Sequence, residues 1–105
     1  MQLLTTESTG DGRAIEHGGV IFAIAIAGAN VVRDVREAIT NTLGGRMSRY
    51  EELVERTVDR ALTSLADKAR VAGYDGVLAV RLSHPVITEG AVEVLATGTG
   101  FRYRM

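Results

Sequence analysis

The longest apolar stretch of the chain has the two-residue periodicity of a β-strand. It runs from Ala14 to Ala27, and Gly18 and Gly19 within it predict a bend or bulge between two strand segments. In the second segment two sets of side chains alternate: Val20, Phe22, Ile24 and Ile26 on one face, and Ile21, Ala23, Ala25 and Ala27 on the other. We expect the bulkier set to face the core and the alanine-rich set to lie against a helix or another subunit.

Two stretches with helical periodicity follow this strand. Asn30 is a favourable N-cap for the first helix, and Gly44 and Gly45 end it. The second helix is predicted to open at Ser48, where Ser48 and Glu51 have the spacing of a capping box. It carries a long apolar stripe composed of Tyr50, Val54, Val58, Ala61, Leu62, Leu65, Ala69 and Ala72. Gly73 then provides a residue suited to a left-handed helix end.

The C-terminal third of the chain predicts a β-hairpin. Residues 76–83 and 91–101 have strand patterns and are joined by a short loop that contains Pro85. A short extended start and a turn segment over residues 8–13 precede the first long strand. The predicted order is β-β-α-α-β-β, which is typical of an α+β fold with a mostly antiparallel sheet covered by two helices. We expect one domain spanning residues 1–105.

Composition excludes several classes of function. The 105 residues include 12 Lys+Arg and 13 Asp+Glu, and this balance argues against a nucleic-acid-binding or membrane-binding basic surface. The apolar stretch that ends at Ala27 is too short for a membrane span, and the first residues lack a signal-peptide pattern, so we expect a cytoplasmic protein. The absence of cysteine excludes disulfides, thiolate metal sites and a cysteine nucleophile. The hydrophobic content of 46% favours self-association of so small a domain.

The two histidines are the candidate metal ligands. His17 and His84 are far apart in sequence and would need a carboxylate such as Glu16, Asp34 or Asp75 to complete a site. The alternative is that both are ordinary histidines at strand ends. The sequence does not identify a cofactor, and a metal ion held by these side chains is the candidate that it offers.

Two glycine-containing turns are candidate anion sites. Gly28 lies between a strand and a helix start, where backbone N–H groups can hold an anion. Gly44 and Gly45 precede Arg46, with Tyr50 four residues later, and this arrangement could bind a carboxylate or phosphate. The alternative is that Arg46 pairs with a helix end or a neighbouring subunit. The sequence contains neither a phosphate-loop motif nor a nucleophile and base at a recognised spacing, so we do not expect an enzyme.

Three segments together resemble the YbjQ family, a group labelled as a heavy-metal-binding domain. The segments are Gly28–Asp34, Leu43–Arg46 followed by Tyr50 and Glu51, and Ala69–Val77. The resemblance implies a subunit similar to those of dodecins that assembles into a ring, typically a pentamer that can stack into a decamer. The matching polar positions are Asn30, Arg33, Asp34, Arg46, Tyr50 and Asp75.

Three functions are consistent with these observations. The first is a homo-oligomeric, pentameric binding or scaffold protein that holds a ligand at subunit junctions through Asn30, Arg33, Asp34, Arg46 and Tyr50. The second is a metal-binding protein that uses His17, His84 and Asp75. The third is an enzyme at a subunit junction that uses Arg46, Tyr50 or Asp34.

Overall fold

The chain folds into a four-stranded sheet with helices on one face. The computed structural model describes residues 1–40 and 47–105. Its elements are β1 (Gln2–Leu3), β2 (Ile15–Ala27), α1 (Ala29–Thr40), α2 (Met47–Val71), β3 (Gly76–Ser83) and β4 (Val92–Tyr103). The sheet order is β1-β3-β4-β2, in which β4 is antiparallel to both of its neighbours and β1 is parallel to β3. The predicted α+β class and element order are confirmed.

The two strand segments predicted over Ala14–Ala27 form one strand with a bulge. The register of β2 against β4 shifts between His17 and Val20, which places Gly18 and Gly19 in the irregularity. A side chain at Gly18 would collide with the ring of Tyr74, and the N–H of Gly19 donates to Tyr74 Oη at 2.9 Å. Glycine is required at position 18 because the aromatic ring occupies the space of a Cβ atom.

The core lies between α2 and the inner face of β2 and β4. Ala61, Leu65 and Ala69 of α2 pack against Ala23, Ala25, Val94 and Ala96, and Val77 and Val80 of β3 complete the cluster. The alanine-rich face of β2 therefore lies against a helix, as expected. Its small side chains let the helix backbone approach closely, and this contact buries them almost completely.

The prediction that the bulkier face of β2 is the core face is wrong. Val20 is 77% exposed, and Phe22, Ile24 and Ile26 are 53%, 51% and 49% exposed. Alternation shows that a strand has two faces, but the side on which the helices pack decides which face is buried. We call these four side chains the β2 stripe.

The start of α1 also differs from the prediction. The carbonyl of Gly28 accepts from the N–H of Val32 at 3.1 Å, so Gly28 is the N-cap and the helix begins at Ala29. Asn30 lies inside the first turn and is not the cap. Gly44, Gly45 and Arg46 lie outside the described residues, so the predicted end of this helix is not described.

The ends of α2 follow the sequence more closely. The helix begins at Met47, one residue before the predicted cap at Ser48. At its other end Gly73 has a φ of 86°, and the N–H groups of Tyr74 and Gly73 donate to the carbonyls of Ala69 and Arg70, both at 3.0 Å. This is a Schellman motif, so the predicted helix end at Gly73 is confirmed.

The N-terminal segment first extends the sheet beside β3 and then reaches its outer face, where Glu7 lies near His17 and Thr99. It runs beside β3, where Leu4 N donates to the carbonyl of Val77 at 2.9 Å and Ala79 N donates to that of Thr6 at 2.8 Å. Phe101 is fully buried on this side and meets the ring of Tyr103 edge-to-face at 5.3 Å. The β2 stripe lies on the same outer face, beyond the part that this segment covers.

The molecule is elongated. Its radius of gyration is 17.0 Å and its extents are 58 × 25 × 18 Å, whereas a compact domain of this length has a radius of about 13 Å. The length arises because α1 and the first turns of α2 extend past the sheet, where Val32 and Leu53 form a small separate cluster with Ala27. None of the helices in the described parts of the chain is long and apolar enough to cross a membrane.

Candidate functional site

Three of the predicted ligand-binding residues lie together on the first two turns of α1. Asn30, Arg33 and Asp34 are exposed, and Arg33 Nη2 donates to Asn30 Oδ1 at 3.1 Å. Their proximity follows from helical spacing, because residues three and four apart share a face. The contact orients the guanidinium group along the outside of the helix.

Tyr50 is placed close to these turns by the packing of α1 on α2. Its half-buried side chain packs on the cluster formed by Ala27, Val32 and Leu53, at the junction of the two helices. Arg46, the remaining predicted ligand-binding residue, lies outside the described residues. The structure therefore places Tyr50 beside α1, against Val32, whereas Asn30, Arg33 and Asp34 are exposed on the outside of that helix.

An open groove begins at this junction. Val31 of α1 and four residues of α2, Arg49, Glu52, Leu53 and Arg56, line a space of about 240 Å³. The α2 positions lie on one helix face because their spacing is i, i+3, i+4 and i+7. The groove combines two guanidinium groups with one carboxylate and an apolar floor.

A larger groove continues from Arg56 along the free edge of β2. It has a volume of about 430 Å³, and its lining residues are Ile24, Ala25, Arg56, Asp59, Arg60, Thr63, Ser64 and Asp67. We call the two connected grooves the α2 trough. Guanidinium, hydroxyl and carboxylate groups at this density can hold a polar or anionic small molecule by charge-assisted hydrogen bonds.

Sequence reasoning did not select the residues of the α2 trough. Arg49, Arg56, Asp59 and Arg60 resemble the solvated face of an amphipathic helix in the sequence. The arginines at positions 49 and 56 are two turns apart, and this repeat was the available signal. This repeat indicates a groove only once the edge of β2 is known to form the other wall.

The predicted metal set is not assembled within one copy of the chain. His17 of β2 pairs with Phe101 of β4. His84 comes directly after Ser83 of β3, and Ser83 pairs with Leu95 of β4. These two levels of the sheet are separated by about 20 Å along β4. Asp75 lies near the level of His17, and its Oδ2 accepts from the N–H of Tyr103 at 2.7 Å. Residues 1–40 and 47–105 contain no group of three or more His, Cys, Asp or Glu side chains arranged to hold a metal ion.

His17 does share a pocket with another polar side chain. His17 and Glu7 line a space of about 300 Å³ together with Leu78, Ala79 and Thr99. Ala79 at its wall has a φ of 53°, a backbone conformation that is uncommon for a residue other than glycine. An imidazole and a carboxylate suit a borderline divalent metal ion, although two protein ligands leave most of its coordination positions to water or another chain.

The comparisons with known proteins agree with this description. The fold and the open charged grooves define a small α+β protein with helices on one face of its sheet. The chain belongs to the YbjQ family, because the family model described as "Putative heavy-metal-binding" matches residues 1–104.

The relatives span the whole chain. It is 35% identical over 103 residues to the UPF0145 protein GK1405 of Geobacillus kaustophilus, covering 97% of this chain and 98% of the relative. It is 37% identical over 99 residues to the UPF0145 protein OE_4416R of Halobacterium salinarum, covering 94% and 95%. A crystal structure of a DUF74-family protein of unknown function from Pediococcus pentosaceus has a TM-score of 0.67 at 17% identity and covers 99% of this chain and 98% of that one. This likeness supports the fold alone.

Proposed function

We propose that this protein is a homo-oligomeric binding protein whose copies associate through the β2 stripe and hold a small polar ligand in the α2 trough beside it. The observation that carries the proposal is the row of four large apolar side chains on one exposed face of β2. A contiguous apolar surface of this kind is typical of an interaction site. The chain's elongated shape supports association, because projecting helices gain buried surface only from a neighbour.

The trough is the proposed ligand site because it adjoins this surface. Ile24 belongs to the stripe and also lines the trough, where Arg56 and Arg60 supply positive charge. A copy that covers the stripe would border the trough and shield its charged groups from water, which strengthens their interaction with a ligand. The pentameric ring implied by the family resemblance is the assembly that we propose.

The test of association uses light scattering on the intact chain at micromolar concentration. We expect a mass several times that of one chain, and Ile24→Lys should reduce it to that of one chain. Val71→Lys is the matched control, because Val71 is 90% exposed at the end of α2, which packs on the face of the sheet opposite the stripe. A single-chain mass for the unaltered protein would refute the association.

The test of the ligand site is a thermal-shift screen of polar and anionic small molecules. We expect a stabilising compound whose effect is lost in Arg56→Ala and kept in Arg13→Ala, since the exposed guanidinium of Arg13 lies over the ring of Tyr103, outside the trough. A stabilising compound whose effect Arg56→Ala does not change would place the ligand site elsewhere.

A metal ion bound at Glu7 and His17 is the second candidate function. The shared pocket of these two side chains is the observation that favours it. Calorimetric titration with Zn²⁺, Ni²⁺ and Cu²⁺ should give saturable heat that His17→Ala removes and His84→Ala keeps. Equal heats in both variants would refute the assignment to this pocket, and loss of the heat only in His84→Ala would favour the other histidine.

A further inference from the structure

The β2 stripe continues into the loop between β3 and β4. Glu93 lies level with Ile26 in the sheet, and its carboxylate accepts from the N–H groups of Ile87 at 3.1 Å and Thr88 at 3.0 Å. This buried contact anchors the loop at the end of the stripe. Val86 and Ile87 of the loop are 88% and 81% exposed. The apolar surface therefore consists of the stripe and the tip of this loop.

The area of this surface is sufficient for a specific interface. Its six side chains expose the equivalent of about four whole large residues, on the order of 600–800 Å². A specific interface of standard size buries about 600–1,000 Å² on each partner. One partner that covers the stripe and the loop would therefore meet this requirement.

The partner must pack on the face of the sheet and not extend its edge. Although β2 is an edge strand, Lys68 Nζ donates to the carbonyl of Phe22 at 3.0 Å and Arg60 Nη1 to that of Ile26 at 3.3 Å. These side chains reach the edge from α2 and occupy carbonyls that an added strand would need. Cations placed along a free edge are a common protection against strand addition.

A helix fits the uncovered face better than a second sheet does. From Val20 to Ile26 the stripe is about 20 Å long. Its width is that of β2 with part of β4, about 10 Å, which is the diameter of a helix with its side chains. At the Val20 end of the stripe the N-terminal segment reaches the outer face, where Glu7 lines a pocket with His17 and Thr99, so a sheet stacked on β2 and β4 would meet that segment.

The chain itself contains a helix of matching length. Helix α1 has 12 residues, so it is about 18 Å long, and it lies on the part of the molecule that extends past the sheet. Val32 is buried against the chain's own α2, whereas the neighbouring Val31 borders the groove beside α2 and is 50% exposed. A helix that buries one apolar position internally and exposes another has a second face available for a neighbour.

We propose that α1 of one copy packs across the β2 stripe of the next. This inference rests on the proposed homo-oligomer and names the two surfaces that meet in it. Because the surfaces differ, the contact is heterologous, and heterologous contacts form a ring when the rotation between successive copies closes. The contact also carries Asn30, Arg33 and Asp34 of one copy to the stripe of its neighbour, next to the neighbour's α2 trough.

Cysteine cross-linking tests the contact, since the chain contains 0 cysteines and introduced thiols are the only ones present. Ile24→Cys and Val31→Cys variants are prepared separately, one of them isotopically heavy, and their mass under reducing conditions is checked by light scattering. They are then mixed, allowed to exchange and treated with a short bis-maleimide. Intact-mass spectrometry distinguishes mixed dimers from the two homodimers.

We expect mixed dimers in at least about tenfold excess over each homodimer, because only thiols held close together are joined efficiently. Replacing Val31→Cys by Val71→Cys in the mixture should abolish the mixed product. If the main product is instead the homodimer of the Ile24→Cys variant, the proposal is overturned in favour of packing between two β2 stripes. An oligomer without mixed dimers would overturn the α1 contact alone, whereas a single-chain mass before cross-linking would refute the homo-oligomer itself.

Discussion

Tyr74 Oη accepts a hydrogen bond of 2.9 Å from the backbone N–H of Gly19, which is 55 positions away. The contact joins the residue that follows the C-terminal glycine of α2 to the bulge of β2. The guanidinium of Arg102 lies 4.6 Å from the centre of the Tyr74 ring and donates to the carbonyls of Gly73 and Ala72 at 3.0 Å and 3.1 Å. One aromatic side chain therefore ties a helix end, a strand bulge and β4 together.

The adjacent glycines of the bulge should respond differently to an added methyl group. A Cβ at Gly18 would collide with the Tyr74 ring, whereas one at Gly19 would lie 3.7 Å from Tyr74 Oη, an ordinary contact. We expect Gly18→Ala to lower the free energy of unfolding by about 1–3 kcal/mol, and Gly19→Ala to change it by less than about 0.5 kcal/mol. Urea unfolding at a fixed protein concentration measures both.

A double-mutant cycle assigns this loss to the ring. In a Tyr74→Ala background, Gly18→Ala should cost much less, because the colliding atoms are gone. An equal cost in both backgrounds would show that the strain lies in the backbone of the bulge.

Glu93 should hold the loop between β3 and β4. Glu93→Gln leaves one of the two backbone donors facing an amide NH₂ group, so we expect a loss of about 1–3 kcal/mol in the free energy of unfolding. The amide protons of Ile87 and Thr88 should exchange faster with solvent. Glu89→Gln in the same loop is the control, since Glu89 is exposed. Unchanged exchange in Glu93→Gln would contradict the anchoring role.

Ala79 should tolerate glycine better than other alanines of the sheet. Its φ of 53° lies in the left-handed region, where an L-residue with a Cβ is strained by roughly 1–2 kcal/mol. Glycine removes that strain but adds freedom to the unfolded chain, worth about 0.5–1 kcal/mol. We therefore expect Ala79→Gly to leave the thermal midpoint unchanged or raised, and Ala96→Gly, at a buried position of β4, to lower it. A clear loss in Ala79→Gly would contradict the strained backbone.

Asp11 should titrate below the ordinary aspartate value of 3.8. The hydroxyl of Thr9 donates to its carboxylate at 2.6 Å and the N–H of Arg13 at 3.0 Å, and these bonds lower the pKa of Asp11 because they favour the charged form. Because the pKa of Asp11 is lower in the folded chain than in the unfolded chain, its charged carboxylate stabilises the fold at pH values above the ordinary pKa. This stabilisation is lost as the pH falls through the lowered pKa. NMR titration should show this midpoint, and Thr9→Val should move it towards 3.8. A midpoint that Thr9→Val leaves unchanged would assign the shift to the backbone N–H alone.

The sequence predicts best where neighbouring residues alone decide the structure. Gly73 ends α2 because the left-handed conformation suits a residue without Cβ, and this preference is local. Asn30, Arg33 and Asp34 share a face because helical spacing requires it. The start of α1 was misplaced because Gly28 and Asn30 are both acceptable caps, and the path of the chain out of β2 selects between them.

The candidate site was less predictable because its walls come from distant parts of the chain. Arg56 and Arg60 acquire a groove only when the free edge of β2 lies beside α2. His17 acquires Glu7 as a neighbour only when the N-terminal segment crosses the outer face of the sheet. The residues of each of these two contacts are far apart in sequence or on different elements, so their spacing along the chain does not predict that they meet.

The sequence by itself determined the order of the elements, the irregularity at Gly18 and Gly19, and the division of β2 into an alanine-rich face and a bulkier face. These features follow from local backbone preferences and from the two-residue period of a strand. Only the tertiary structure decided which face is buried. Helix α2 packs on the alanines, where its backbone can approach closely, and the bulkier residues Val20, Phe22, Ile24 and Ile26 are left exposed as the surface on which we propose that a second copy docks.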